Sequence, residues 1–315
     1  MTIGAVLLAY AASAGTLGSR VLGRASWMSR APLLAIAAYL TAAWSVVAAL
    51  GLAGLTLAVH ATALGGGLSH LIGACVLRLR AMYASPGGAS VAALGLTLTG
   101  AVLARAVVTA TAYLRAVRRE ALRHAETARL VGRPEPGLGA TLVDYPQPAA
   151  YCVAGRHPTV IVTTGALRAL DPEQLDAVLA HERAHLAGHH HQLLAMARIA
   201  RRVLPFLPLT READTQVARL IEQHADDAAT CTRDPGPLAA ALVVLASSAS
   251  PAPALAAAAT DTVQRIRRLL TPAEPVGQIR RLLLRATVAA IAVTPVLLAL
   301  IPAIMALALG RVPAA

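Results

Sequence analysis

The chain of 315 residues contains no lysine, so its 28 strongly basic residues are all arginines. It has few aromatic residues (3%) and only three cysteines, the scattered Cys75, Cys152 and Cys231. With no CxxC pair, neither a thiolate zinc site nor a disulfide framework is indicated. Scarce aromatic rings leave no platform for stacking nucleic-acid bases, so the net charge of +12 does not indicate a nucleic-acid partner.

Acidic residues are absent from the first 119 positions, because all sixteen lie between Glu120 and Glu274. The chain is otherwise strongly apolar, with 57% hydrophobic residues and a mean hydropathy of +0.61. The long apolar runs cover residues 2–19, 31–59, 89–114 and 284–309. Each run is close to or above the ~20 residues that a helix needs to cross a bilayer. We therefore expect a multi-pass α-helical membrane protein.

The predicted organisation has three parts. Residues 1–114 hold three transmembrane helices, and residues 115–283 form one polar domain of ordinary domain size. Residues 284–315 hold a fourth transmembrane helix and a short tail. Arg105 lies inside the third apolar run, where it either faces the helix bundle or snorkels to the interface.

Arginines indicate the orientation of these helices. Three of them lie in the linker 20–30, and others follow the third run directly. Short cytoplasmic loops carry this kind of positive excess, so we expect the polar domain in the cytoplasm and the linker 60–88 outside. Anionic lipid headgroups are the expected partners of the arginines.

The strongest functional signal is the motif His181-Glu182-Arg183-Ala184-His185. Residues four apart share one face of a helix, so both imidazoles can bind one Zn²⁺ while Glu182 stays beside its open position. The start of this helix is also encoded: Asp171 suits the N-cap, Pro172 the first helical position, and Gln174 a capping box. The motif predicts a zinc hydrolase.

A catalytic zinc ion takes three protein ligands and leaves a fourth position to water. The segment Glu222-Gln223-His224-Ala225-Asp226-Asp227 offers four capable side chains on a second helix. We expect Glu222 to be the third ligand, and Asp226, one turn further on the same face, to orient a ligand histidine. His224 points elsewhere on that helix, and the histidine run 189–191 is interpreted as a solvated helix end.

In the expected mechanism, zinc lowers the pKa of its bound water from 15.7 towards about 7. Glu182 takes up the proton and later returns it to the leaving amine. The run Val160-Ile161-Val162-Thr163-Thr164 predicts a strand. At a sheet edge this strand would hold an extended substrate by main-chain hydrogen bonds, and a plain core strand is the equal alternative.

The rest of the polar domain predicts a mixed arrangement of helices and strands. Its expected elements are a loop at 132–148, a β-hairpin of 149–154 and 159–164, a zinc helix at 172–200 and a second helix at 211–229. Thr210 is the expected cap of the second helix.

Three segments of the polar domain resemble the BlaR/MecR family of membrane zinc peptidases: 151–155 (YCVAG), 160–167 (VIVTTGAL) and 177–185 (AVLAHERAH). The chain is similar, more distantly, to HtpX/Ste24-type membrane proteases. The resemblance implies an α+β gluzincin-like zinc peptidase domain in the cytoplasm, anchored in the bacterial inner membrane.

The resemblance also implies the roles of residues and partners. It makes His181, His185 and Glu222 the zinc ligands and Glu182 the catalytic residue. In BlaR/MecR sensors the zinc domain initiates inactivation of a cytosolic winged-helix repressor, so a BlaI-like repressor is the expected substrate. The sequence ends at Ala315 with no extracellular penicillin-binding domain after the last run, so β-lactam sensing is not expected. Quality-control proteolysis of membrane proteins and a non-catalytic signalling scaffold are the alternatives, and the intact Glu182 argues against the scaffold.

Overall fold

The computed structural model describes residues 2–58, 88–155, 158–248, 255–271 and 274–309. The helices are α1 (Thr2–Gly23), α2 (Pro32–Ala58), α3 (Gly88–Val131), α4 (Thr164–Ala169), α5 (Pro172–Ala187), α6 (His190–Val203), α7 (Pro208–Thr230), α8 (Gly236–Ser247), α9 (Leu255–Leu270) and α10 (Gln278–Leu309). A short 3-10 helix, Met28–Arg30, joins α1 to α2. The strands are β1 (Gly132–Glu135), β2 (Ala140–Val143), β3 (Ala150–Val153) and β4 (Thr159–Thr163).

Four helices are long and apolar enough to cross a membrane, namely α1, α2, α3 and α10. They coincide with the four apolar runs of the sequence. The third run and the basic segment after it form one unbroken helix of 44 residues, α3. The polar domain therefore begins on the same helix as the third apolar run. The predicted outer linker lies outside the described residues, apart from Gly88.

The larger apolar core joins the apolar helices to the polar domain. Leu7 of α1 and Tyr39 of α2 are fully buried in it together with Val203 of α6 and Leu209 of α7. Burial of one such large apolar side chain contributes about 1.5–3 kcal/mol. Helix α7 is therefore held directly against α1 and α2. A second core lies between the sheet, α5, α8 and α9.

The four strands form one sheet in the order β1-β2-β4-β3. Strand β2 pairs parallel with β4, whereas β1 with β2 and β3 with β4 are antiparallel. The predicted β-hairpin is thus confirmed as β3 and β4. The predicted loop 132–148 is wrong in part, because it contains β1 and β2. Pro134 is tolerated in β1 because β1 is an edge strand, and β2 is fixed by pairing with a strand distant in sequence.

The prediction that residues 160–164 form a substrate-binding edge is wrong. Strand β4 lies between β2 and β3, so its main-chain groups are paired on both sides. Its residues from Val160 to Thr163 are buried, as in the alternative of a plain core strand. Thr164 begins α4 instead of extending the strand, because the Thr163 hydroxyl accepts a hydrogen bond from the Ala166 main-chain N–H at 3.1 Å and caps that helix.

The predicted zinc helix 172–200 is two helices, α5 and α6. The helix is interrupted at His189, whose φ of 49° lies in the left-handed region that non-glycine residues rarely adopt. Gly188 is needed beside it, because a Cβ there would collide with the ring of His190. The break therefore turns His190 back towards the end of α5.

The second predicted helix starts three residues before its expected first residue, 211, at Pro208 of α7. Thr210 is consequently a buried residue of the first turn and not the N-cap. Its hydroxyl donates to the carbonyl oxygens of Leu204 and Leu207 at 2.7 and 2.9 Å. Proline at the first helical position sets this start, since it needs no partner for an N–H.

Candidate metal centre

The histidine motif lies at the end of α5, and the helix start is the one the sequence predicts. The Asp171 carboxylate accepts from the Gln174 main-chain N–H at 2.9 Å, and the Gln174 side chain accepts from the Asp171 N–H at 3.2 Å. This capping box and Pro172 fix the register of α5. His181 and His185 then lie one turn apart, with their Nε2 atoms 3.0 Å from each other.

Glu222 of α7 completes a set of three donors. Its Oε2 is 3.5 Å from His181 Nε2, and its Oε1 is 3.6 Å from His185 Nε2. A tetrahedral ion with bonds of about 2.0–2.1 Å has its donors about 3.3 Å apart, so the observed spacing fits one metal ion. Helices α5 and α7 pack against each other, and the small Ala225 of α7, three residues after Glu222, is fully buried. The three side chains could hold a metal ion together.

Asp226 lies behind His181, on the side away from the donor set. It is 1% exposed, and its Oδ1 is 3.0 Å from His181 Nδ1. Burial alone would raise the pKa of Asp226, but hydrogen bonds from Arg265 and His181 outweigh it and lower the pKa to about 2. Asp226 is therefore an ionised partner that leaves Nε2 of His181 facing Glu222, the orientation a metal ligand requires.

Glu182 stands beside the donor set and next to strand β3. Burial raises the pKa of its carboxyl group, although His181 and hydrogen bonds with Cys152 oppose the rise. Cys152 is itself held as a thiol, because burial and the neighbouring Glu182 raise its pKa to about 12. A carboxylate of raised pKa next to a metal site suits proton transfer near neutral pH.

Arg265 of α9 is a site residue that the motif did not indicate. Its Nε and Nη2 donate to the two oxygens of Asp226 at 2.9 and 2.7 Å, and its Nη1 is 3.0 Å from Glu222 Oε2. A bidentate contact of this kind is strong and directional. The guanidinium therefore binds the carboxylates of both Asp226 and Glu222 and fixes their spacing. The fold alone brings it there, since residue 265 is distant in sequence from both of them.

His190 is the second residue that the sequence did not indicate, and its interpretation as part of a solvated run is wrong. It is 2% exposed, and its Nδ1 is 3.0 Å from His185 Nδ1. Its Nε2 is 2.8 Å from His224 Nδ1. His190 therefore holds the ring of His185 as Asp226 holds that of His181. The chain break at His189 could not be read from the sequence, although Gly188 is its one local sign.

The remaining third-ligand candidates lie away from the donor set. His224 contacts His190, and Asp227 forms an ion pair with Arg268 at 2.6 Å. Of the four candidates in α7, Glu222 alone joins the two histidines within the described residues.

Removal of the His190 imidazole should weaken metal binding without removing a donor. We expect His190→Ala to lower metal affinity by about 10–100-fold, the usual effect of losing a group that orients a ligand. His191→Ala is the matched control, because His191 is exposed and should bind metal normally. Competition with a metal-binding dye gives both affinities, and equal affinities would contradict this role.

Metal binding should also release a proton. Burial alone would lower the pKa of His181, but hydrogen bonds with Asp226 and Glu222 outweigh it and raise the pKa to about 9. Burial lowers the pKa of His185 to about 4, so His185 is already neutral at pH 7. Metal-free protein thus carries one proton on His181 at pH 7, below that pKa, and metal must displace it.

We expect about one proton released per metal ion at pH 7 and a metal affinity that rises with pH up to about 9. Calorimetric titrations in two buffers of different ionisation enthalpy measure the proton count. An identical binding enthalpy in both buffers would contradict the assignment of that proton.

Comparison with known protein families matches residues 110–273, just over half of the chain, to peptidase family M48. The matched region runs from α3 to just beyond α9 and contains all residues of the candidate metal centre. No solved structure matches the chain. The match identifies the family but does not distinguish the BlaR/MecR subtype within it, so membership of that subtype stays a hypothesis. With a His-His-Glu donor set inside the matched region, the chain belongs to peptidase family M48, a family of metal-dependent peptidases.

Proposed function

We propose that this protein is a multi-pass membrane-anchored zinc endopeptidase that cleaves a cytosolic or membrane protein. The observation that carries the proposal is the donor set of His181, His185 and Glu222, with Glu182 beside it. Two imidazoles and one carboxylate at tetrahedral spacing are typical of a catalytic zinc site that keeps one open position. The four helices that could cross a membrane support the anchoring.

The residues divide the chemistry among them. A bound zinc ion would supply an acidified water and polarise the scissile carbonyl. Glu182 accepts the proton of the attacking water and donates it to the nitrogen of the leaving amine. Asp226 and His190 hold the two ligand rings in orientation, and Arg265 holds the carboxylate of Glu222.

Strand β3 supports an extended protein substrate. It is an edge strand of the sheet, and its Tyr151 is exposed. It also borders a cavity of about 570 Å³ that His185 and Glu222 line. An extended peptide added to a sheet edge gains main-chain hydrogen bonds. The strand that would bind the extended substrate is therefore β3, and not β4 as the sequence suggested.

The cavity also touches the polar continuation of α3, through Glu120 and His124. A substrate bound there lies next to a helix that could cross the membrane. The BlaR/MecR resemblance supports a BlaI-like winged-helix repressor as this substrate. Quality-control cleavage of membrane proteins is the alternative outcome of the substrate experiment described in the Discussion.

Purified full-length protein tests the enzymatic part of the proposal. We expect about one zinc ion per chain and hydrolysis of an unfolded model protein that stops on chelation and returns on addition of zinc. A protein that carries no zinc, or that hydrolyses equally with chelator present, would contradict it.

Membrane orientation is a separate prediction. A reporter fused after Arg123 should be cytoplasmic, and a reporter inserted near Gly88 should be outside, because the arginine clusters mark the cytoplasmic ends of the helices. Paired alkaline phosphatase and fluorescent protein fusions report the two sides. A reporter after Arg123 on the outer side would overturn the cytoplasmic placement and the repressor substrate together.

A further inference from the structure

A cavity of about 650 Å³ lies where the connection between α6 and α7 meets α1 and α3. Leu8 and Ala12 of α1 line one side, and Leu98 and Ala101 of α3 line another. The lining is apolar except for Arg105. This size is typical of pockets that take a small molecule or a single chain of a larger one. The cavity is separate from the metal centre.

The walls of the cavity come from helices that could cross a membrane. In the membrane placement of the proposed function, an apolar cavity between these helices adjoins lipid and not water, so the molecules that can fill it are those of the bilayer. Leu50 of α2 also lines the cavity, and the α6–α7 connection of the peptidase domain closes it on the remaining side. This connection thus reaches from α6 and the Glu222-bearing helix α7 into the level of the apolar helices.

Arg105 fixes the connection in place. Its Nε donates to the Val203 carbonyl at 2.6 Å, and its Nη2 donates to the Arg202 carbonyl at 2.9 Å. These are the last carbonyls of α6, where a positive charge is also favoured by the helix dipole. Arg105 was expected either to face the helix bundle or to snorkel to the interface. The structure favours the first alternative, because Arg105 binds the end of a neighbouring helix.

The tip of the connection has the composition of a membrane-contact element. Phe206, the only phenylalanine of the chain, is 66% exposed and lines the cavity. Exposed arginines stand on both sides of it, Arg201 and Arg202 at the end of α6 and Arg211 in the first turn of α7. Arg201 is paired with Asp214. Arg202 lies over the ring of Tyr113 and Arg211 donates to the Pro205 carbonyl, so these two keep their positive charge with no carboxylate partner among the described residues. An apolar tip with arginines behind it complements acyl chains together with anionic headgroups.

We propose that this cavity binds an acyl chain of an anionic phospholipid, with the lipid phosphate at the arginines beside Phe206. The site would attach the α6–α7 connection, and through it α7, which carries Glu222, to a lipid of the bilayer. The inference rests on the membrane placement in the proposed function and is independent of peptide hydrolysis. Lipid binding without hydrolysis would refute the proposed enzyme and still support the lipid site.

Native mass spectrometry of the full-length protein in detergent tests the site with phosphatidylglycerol as probe. Ala101→Phe fills the cavity from an exposed position, and Ala104→Phe on the same helix is the matched control, exposed but outside the lining. We expect at least about ten-fold weaker lipid binding for Ala101→Phe and unchanged binding for Ala104→Phe. Ala12→Phe, on the opposite wall, should repeat the loss.

The charge requirement has its own variants and probes. The double variant Arg202→Gln/Arg211→Gln should bind phosphatidylglycerol about 25-fold more weakly, at about five-fold for each arginine. Phosphatidylcholine with the same chains should bind more weakly than phosphatidylglycerol, and glycerol phosphate alone should not bind. Any one of three results would overturn the proposal: the two lipids bind equally, glycerol phosphate alone binds, or Ala101→Phe and Ala12→Phe bind phosphatidylglycerol as well as the wild-type protein does. Metal content of every variant, measured alongside, shows that the peptidase domain is folded.

Discussion

Glu182→Gln should lower the peptidase kcat by about 10²–10⁴-fold while zinc stays bound. The substitution keeps the size of the side chain and leaves His181, His185 and Glu222 in place, so the metal centre is intact. What is lost is the carboxylate that accepts the proton of the attacking water. Zinc content and single-turnover hydrolysis of a labelled protein substrate measure the two effects on one sample.

Glu173→Gln is the control for this change. Glu173 is an exposed carboxylate in the first turn of the same helix, far from the metal centre, and its loss should leave kcat unchanged. Hydrolysis at the wild-type rate by zinc-loaded Glu182→Gln would remove Glu182 from the mechanism. A zinc-free Glu182→Gln would instead show that this side chain holds the metal.

Glu222→Ala should abolish both metal binding and peptidase activity. It removes one of three donors, and it also leaves Arg265 without one of the two carboxylates that neutralise it. The guanidinium Nη2 lies 3.4 Å from His181 Nε2, so its uncompensated charge would repel a cation at the site. We expect metal content below about a tenth of the wild-type value, measured after dialysis against a weak chelator.

The neighbours of Glu222 on α7 provide a graded comparison. Asp226→Ala should weaken metal binding by about 10–100-fold, because it removes only the partner of His181 Nδ1. His224→Ala should bind zinc nearly normally, since its contact is with His190 and not with a donor. A zinc-free His224→Ala beside a zinc-loaded Glu222→Ala would show that the wrong residue is assigned as third ligand.

Features encoded over a few residues could be predicted from the sequence. The capping box of Asp171 and Gln174 fixes where α5 begins, and the four-residue spacing of the histidines then places both on one face. The β3–β4 hairpin is similarly local. The choice of Glu222 over Asp226 followed from side-chain length on one helical face, and the distances agree with it.

Features that depend on distant contacts could not be predicted. Strand β4 is interior only because β2 pairs with it, and β2 lies in a proline-rich stretch that resembles a loop. Arg265 joins the site through the packing of α9, which no spacing reveals. His190 is buried because the left-handed His189 interrupts a helix that apolar periodicity would continue. In each case tertiary contacts override the local pattern.

The central claim, proteolysis by this metal centre at the membrane, is tested most directly by new protein N-termini in cells. Cells producing wild-type protein and cells producing Glu182→Gln at equal level are compared by terminal-amine labelling of their cytosolic and membrane fractions. The account predicts a small set of N-termini that occur with the wild-type protein and are absent with Glu182→Gln. A winged-helix repressor among the cleaved proteins would support the signalling role, and membrane proteins would support quality control. Identical sets of N-termini in the two strains would contradict the account.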